Sequence, residues 1–162
     1  MTSALSVDVE NEFQDLLKEA GLLAQAIVGM DAAPEPLDEP TAWIMVSGLA
    51  AGCERIYSEC EGVMELIARR VHGAAVDRMD SWHAVLLNRM AHPFPGVRTA
   101  VISADCRAQL DRFRAFRHRV RNGYGMELDR DIVQTRAREF GPTLAAFHGE
   151  VSVFLTARDA GG

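Results

Sequence analysis

Residues 40–71 carry the longest helical pattern in the chain and read PTAWIMVSGLAAGCERIYSECEGVMELIARRV. Apolar side chains recur every three or four positions, which is the spacing that aligns them along one side of an α-helix. About 30 helical residues at 1.5 Å each would extend about 45 Å. Because the apolar arc is wide, we expect this helix to lie at the centre of a bundle, with partners on more than one side.

Shorter helices are predicted on either side of this long one, and breaks separate them. They cover residues 6–28, 81–90, 103–121 and the segment that opens at Asp131. Proline and glycine interrupt the pattern in residues 29–40 and 93–96, Ser103 is placed to cap the fourth helix, and Pro142 is placed to kink the fifth. We therefore predict one all-α domain over residues 1–162, a five-helix up-down bundle with one long central helix.

The composition limits the classes of function. The net charge of −6 and the isoelectric point near 5.3 argue against a general nucleic-acid coat, although a local basic site remains compatible with them. The odd number of cysteines, three, indicates free thiols rather than a disulfide framework. The acidic N-terminal residues 1–17 do not resemble a signal peptide. No apolar run reaches the roughly 20 residues needed to cross a bilayer, so we expect a cytoplasmic protein that makes no use of a membrane.

A cationic segment over residues 112–124, RFRAFRHRVRNGY, stands out in this acidic chain. Cations three or four positions apart on a helix repel one another, and Arg114, Arg117, His118 and Arg121 are spaced in this way. Two explanations are open. Carboxylates of neighbouring helices could balance the charges, and Glu54, Glu61 and Glu65 are the candidates. Alternatively, a bound phosphate could do so, since the planar arginine fork suits phosphate oxygens.

The end of this segment resembles the signature of the HepT-like ribonuclease toxins of the HEPN superfamily. In that family an arginine, usually followed by a polar residue, precedes a histidine, one further residue and a tyrosine at the end of a bundle helix. Arg117, His118 and Tyr124 occupy the arginine, polar and tyrosine positions here. Residues 56–61 on the long helix also resemble the family, and the likeness extends over residues 40–155.

The resemblance implies a function and a set of roles. It implies the toxin of a type VII-like toxin–antitoxin pair, a homodimer that cleaves RNA without a metal or other cofactor and is neutralised by a nucleotidyltransferase antitoxin. Arg117 would hold the scissile phosphate, with Arg114 and Arg121 as further phosphate contacts. A histidine would move a proton during attack by the RNA 2′-hydroxyl. Tyr124 would complete the motif and be the site at which the antitoxin adds AMP.

The sequence departs from the family at the histidine position, which is Asn122. An amide cannot act as a general acid or base near neutral pH. His118 lies four residues earlier, about one turn away on the same face, and is our candidate replacement. The rival interpretation is a catalytically inactive helical dimerisation and binding module, and a third is a regulator that binds RNA without cleaving it. The spacing from Arg112 to His118 also fits a loose arginine–histidine pattern, but these two residues would lie on different faces.

Other residues have simpler explanations. Cys53 and Cys60 share a helix face and could bind a metal together with His72 or His83, but buried cysteines are the favoured interpretation because no closely spaced pair exists. His83 and His92 could line a cleft, although a surface or capping role is the default expectation.

Overall fold

The computed structural model of the chain describes residues 2–73, 76–77, 81–122 and 128–161. Within these residues the helices are α1 (Ala4–Asp31), α2 (Glu39–His72), α3 (Trp82–Ala91), α4 (Ala104–Asn122) and α5 (Arg130–Gly161). Extended pairing in the same residues is limited to an isolated bridge between Phe94 and Arg98. The predicted all-α bundle is therefore confirmed, and each predicted helix lies within a few residues of an observed one.

Helix α2 is the central element, as its apolar pattern predicted. Its 34 residues extend about 51 Å, and it packs against each of the other four helices. Its buried side chains join those of the other helices in one continuous apolar core. The buried residues of α2 are Val46, Leu49, Ala50, Cys53, Ile56, Tyr57, Cys60, Glu61, Val63, Met64, Ile67 and Ala68. One of them, Glu61, is an acid in an otherwise apolar set.

Local side-chain chemistry fixes where the helices begin and end. The Asp38 carboxylate accepts a hydrogen bond from the backbone N–H of Thr41 at 2.9 Å and caps the start of α2. Gly73 ends α2 at a φ of 68°, a left-handed conformation that glycine adopts without strain. The hydroxyl of Ser103 accepts a bond from the backbone N–H of Cys106 at 3.1 Å. Ser103 therefore caps the start of α4, as predicted.

The fifth helix starts at Arg130, one residue before Asp131, where the sequence predicted its start. The Asp129 carboxylate accepts a bond from the backbone N–H of Ile132 at 3.1 Å, so Asp129 is the cap and Arg130 the first helical residue. Asp131 lies in the first turn, where a negative charge complements the helix dipole. Helix α5 continues on both sides of Pro142.

The packing of α4 positions the cationic segment. Helix α4 contacts α2, α3 and α5, and its Phe113 ring packs on Phe140 of α5 with ring centroids 4.0 Å apart. The last two turns of α4 lie beside the middle of α2 and the start of α3, where Arg117 contacts Glu61 and His83. Among the helices of the described residues, none is both long enough and apolar enough to cross a membrane.

Candidate functional site

A cleft of about 280 Å³ lies along the last two turns of α4 and is partly open to solvent. It is lined by Ser81, His83, Ala84, Arg114, Arg117, His118, Arg121 and Asn122. The helix thus brings together five of the residues that the motif singled out. Tyr124, the remaining one, lies outside the described residues.

Arg117 and His83 form the inner wall of the cleft. Both contact Glu61, which is buried behind them, so one residue from each of three helices joins a polar cluster. Arg117 Nη1 donates to Glu61 Oε2 at 3.2 Å, and His83 Nδ1 lies 2.7 Å from Glu61 Oε1. Each carboxylate oxygen therefore has its own partner. An ionised carboxylate only accepts hydrogen bonds, so the contact with His83 places a hydrogen on Nδ1. In the neutral imidazole, Nε2 is then the unprotonated nitrogen.

Arg117 also lies against the imidazole of His83. Its Nη1 atom is 3.2 Å from His83 Nδ1 and 3.3 Å from His83 Nε2. Its Nε atom is buried and has no hydrogen-bond partner in the part of the chain that the structure describes. On the other side, the Trp82 indole packs on the imidazole, with ring centroids 3.9 Å apart. The His83 ring is thus held between an aromatic ring, a guanidinium group and a carboxylate.

Tyr57 lies in the protein interior beside this cluster and is fully buried. Burial, followed by the negative charge of Glu61, raises the pKa of the Tyr57 phenol above its ordinary value. Tyr57 therefore stays neutral at physiological pH. The interior next to the inner wall consequently carries one charge pair, Arg117 with Glu61, and a neutral phenol.

The outer wall of the cleft is exposed. Asn122 Nδ2 donates to the backbone carbonyl of His118 at 2.9 Å and lies 3.1 Å from His118 Nδ1. The two side chains are therefore neighbours one turn apart, as their spacing predicted. Arg121 Nε donates to Glu54 on α2, and Arg114 Nε donates to Asp111 one turn earlier on α4, at 2.6 Å.

Each of the three arginines in the cleft contacts a carboxylate. This agrees with the first explanation of the cationic segment, in which acids balance it, and Glu54 and Glu61 are two of the predicted acids. Glu65, the third, instead forms an ion pair with Arg69 at 3.7 Å. A guanidinium group carries five N–H donors, so one such ion pair leaves capacity for phosphate oxygens. Arg117 faces inward to Glu61 and is largely buried, whereas Arg121 is exposed.

The remaining candidates lie elsewhere. Arg112 faces α5, where its Nε is 3.9 Å from Glu139, and it does not line the cleft. Cys53 and Cys60 are both buried, as expected, and burial raises the pKa of both thiols, that of Cys53 to about 12. Among the described residues, no group of three metal-binding side chains is close enough to hold a metal ion. His92 bonds the carbonyl of Asn88 through Nδ1 at 2.8 Å, which fits the expected capping role.

Sequence reasoning gave too little weight to Glu61 and His83. A usable signal existed for Glu61, because it lies four residues after Tyr57 and three before Met64, on the apolar face of α2. The same argument applies to Arg117, four residues after the buried Phe113. A charged residue in an apolar stripe is rarely buried unless it is paired. His83 gave no such signal, since its role depends on where α3 packs.

Taken together, the fold and the cleft define a class: an all-α bundle with an arginine- and histidine-lined cleft at the end of one helix. A family model described as HepT-like protein matches residues 49–158, a span that includes most of α2, all of α3 and α4, and most of α5. The chain therefore belongs to the HepT-like family, as its motif predicted. No curated protein and no solved structure matches the chain significantly.

Proposed function

We propose that this HepT-like protein is the RNA-cleaving toxin of a type VII-like toxin–antitoxin pair, that it acts without a metal and that a nucleotidyltransferase partner neutralises it. One observation carries the proposal: Arg114, Arg117, His118, Arg121 and Asn122 line the same cleft. Charged residues without a common role would be expected to lie apart on the surface rather than to line one cleft. The proposal includes a homodimer in which two such clefts face each other, and modification of Tyr124 by the partner.

The cleft suits a single RNA phosphate and its ribose. Arginine binds phosphate oxygens through parallel N–H donors, and Glu61 holds Nη1 of Arg117 at the inner wall before RNA binds. Binding through pre-oriented groups loses less conformational entropy. A volume of about 280 Å³ is near the lower limit of ligand pockets, which hold about 300–1,000 Å³. Neighbouring nucleotides would therefore extend along the protein surface.

Cleavage would use the RNA's own nucleophile. Attack of the ribose 2′-oxygen on the adjacent phosphorus expels the 5′-oxygen of the next nucleotide, and this chemistry needs proton transfer and charge stabilisation but no metal. The arginines would stabilise the charge that develops on the phosphate. His118 is the histidine next to Asn122, the position where the family has its own histidine.

A second candidate is the non-catalytic binding module, and two observations favour it. The arginines of the cleft contact carboxylates, and Asn122 cannot transfer a proton near neutral pH. Such a protein would keep the family's dimer and partner contacts without cleaving RNA.

The deciding experiment incubates purified protein with single-stranded RNA in excess chelator. Truncating Arg117 to alanine would leave Glu61 buried without its cation. Arg117→Lys is the better variant, because it keeps the positive charge and removes the planar guanidinium group that binds phosphate through two parallel donors. Arg136→Lys is the matched control, since Arg136 pairs with Glu139 on α5 outside the cleft. We expect wild type and Arg136→Lys to cleave and Arg117→Lys to cleave far less at unchanged thermal stability.

Binding without cleavage would favour an RNA-binding regulator over both candidates. An RNA affinity that falls steeply with salt would identify the regulator, whereas the absence of both binding and cleavage would identify the module. In cells, expression of the chain alone should arrest growth, and co-expression of the nucleotidyltransferase should relieve the arrest and add AMP to Tyr124. Light scattering would test the dimer.

A further inference from the structure

The inner wall of the cleft holds a histidine that the family motif does not contain. We propose that His83 is the group that accepts the proton from the attacking 2′-hydroxyl, and that Glu61 is its positioning residue. This inference rests on the proposed function and names the group that would replace the family's histidine, whose position is Asn122 here. It is carried by the cluster of Glu61, Arg117 and His83 described above.

The geometry gives His83 what a general base needs. Its Nδ1 atom lies 2.7 Å from Glu61 Oε1. An ionised carboxylate there holds the hydrogen on Nδ1, so in the neutral imidazole the electron pair is on Nε2, which faces Arg117 Nη1 at 3.3 Å. The Glu61 side chain is only 4% exposed and also bound to Arg117, so it holds the ring in a fixed orientation. The His83 side chain is 26% exposed and lines the cleft. A carboxylate behind the ring also stabilises the imidazolium that forms when Nε2 takes a proton.

Arg117 places a bound phosphate next to this base. Its Nη1 atom lies 3.3 Å from His83 Nε2, so a phosphate on Arg117 would bring the neighbouring ribose within reach of the imidazole. A phosphate that draws the guanidinium toward itself would also expose Nε2. His118 lacks this arrangement: its ring lies on the exposed wall beside an amide, at 3.1 Å from Asn122 Nδ2.

The step balances without a co-reactant other than water. The 2′-hydroxyl proton moves to His83 Nε2 as the 2′-oxygen forms its bond to phosphorus. The bond between phosphorus and the 5′-oxygen breaks, and the 5′-oxygen takes a proton from a water molecule that His118 orients. The products are a 2′,3′-cyclic phosphate and a 5′-hydroxyl end, and the imidazolium then releases its proton to solvent.

The experiment measures cleavage of single-stranded RNA in chelator by wild type, His83→Ala and the control His92→Ala, which removes an exposed histidine at the other end of α3. We expect His83→Ala to lower kcat about 10²–10⁴-fold with little change in KM, and His92→Ala to match wild type. Added imidazole should restore part of the His83→Ala rate, which a purely structural role would not allow. Glu61→Gln should lower kcat less than His83→Ala, since the amide oxygen still accepts from Nδ1.

Each other outcome overturns a stated claim. A His83→Ala rate equal to that of His92→Ala overturns the role of His83 and leaves the proposed function intact. The role of His83 is also overturned if His83→Ala changes only KM, or if added imidazole does not restore part of its cleavage rate. If wild type does not cleave, the proposed function and this inference fail together. If His83→Ala unfolds, His83→Gln keeps a bond to Glu61 and replaces it in the same measurements.

Discussion

The two walls of the cleft use the same helix but place their residues in opposite environments. At the inner wall, the side chains of Arg117 and of Glu61 behind it are 11% and 4% exposed, and their charges meet inside the protein. On the outer wall, the Arg121 side chain is 56% exposed although it also contacts a glutamate. Only four residues of α4 separate the two arginines. Residues four apart on an α-helix lie on the same face, one turn apart, so the difference arises from what packs against each turn. Arg117 lies where α2 and α3 both contact α4, whereas Arg121 lies one turn later, next to the end of α4.

This difference means that substitutions within the same motif of α4 have different effects at the inner wall and at the outer wall. Replacing an inner residue changes the free energy of unfolding as well as any chemistry, because a buried charge loses its partner. Replacing an outer residue changes chemistry and leaves the core alone. Loss of activity in an Arg117 variant therefore means little without a folding measurement, whereas loss of activity in a His118 variant can be interpreted directly.

The largest expected effect is on the inner wall. Arg117→Ala should lower the free energy of unfolding by about 3–5 kcal/mol, the usual result of removing one partner of a buried ion pair. Chemical denaturation followed by circular dichroism measures it. A loss below about 1 kcal/mol, the range of an exposed pair, would show that the two walls do not differ in the way described.

The next effect is catalytic and lies on the outer wall. His118→Ala should lower the cleavage rate by about 10²-fold, the low end of the range for proton transfer, because water can reach this exposed position. Its unfolding transition should coincide with that of wild type. A loss larger than that of His83→Ala would transfer the main proton-transfer role to His118, as the sequence alone suggested.

A gain of function should follow from restoring the family residue. Asn122→His should raise the cleavage rate by up to about tenfold, equivalent to about 1.4 kcal/mol of activation free energy. Its position is exposed, so folding should not change. The rates are compared in the same chelated assay, with Asn88→His on the exposed surface of α3 as the control. A slower Asn122→His enzyme would indicate that the amide itself contributes to the site.

The smallest effect on stability belongs to the other arginine. Arg121→Ala should change the free energy of unfolding by less than about 1 kcal/mol, because its pair with Glu54 is largely in water. RNA binding should weaken modestly, and its dependence on salt should become shallower by about one phosphate contact. Equal destabilisation by Arg121→Ala and Arg117→Ala would remove the distinction between the walls.

Much of the fold follows from local sequence rules. The apolar period of residues 40–71 predicts the central helix, and the hydroxyl of Ser103 predicts where α4 begins. The motif also predicts which residues of α4 share the cleft. Local rules could not predict the inner wall, because Glu61, His83 and Arg117 belong to three helices and meet only through tertiary packing. The inward orientation of Arg117 could not be predicted either, because it depends on the Glu61 carboxylate that α2 places opposite it.

The role proposed for His83 depends on Glu61 holding the imidazole with the hydrogen on Nδ1 and the electron pair on Nε2. Nitrogen-15 NMR of the imidazole rings tests it directly in the neutral form of His83, with His92→Ala used to remove one competing signal. We expect the Nδ1–H form in wild type and a mixture of the two neutral forms in Glu61→Ala. A wild-type His83 that carries its hydrogen on Nε2 would contradict it.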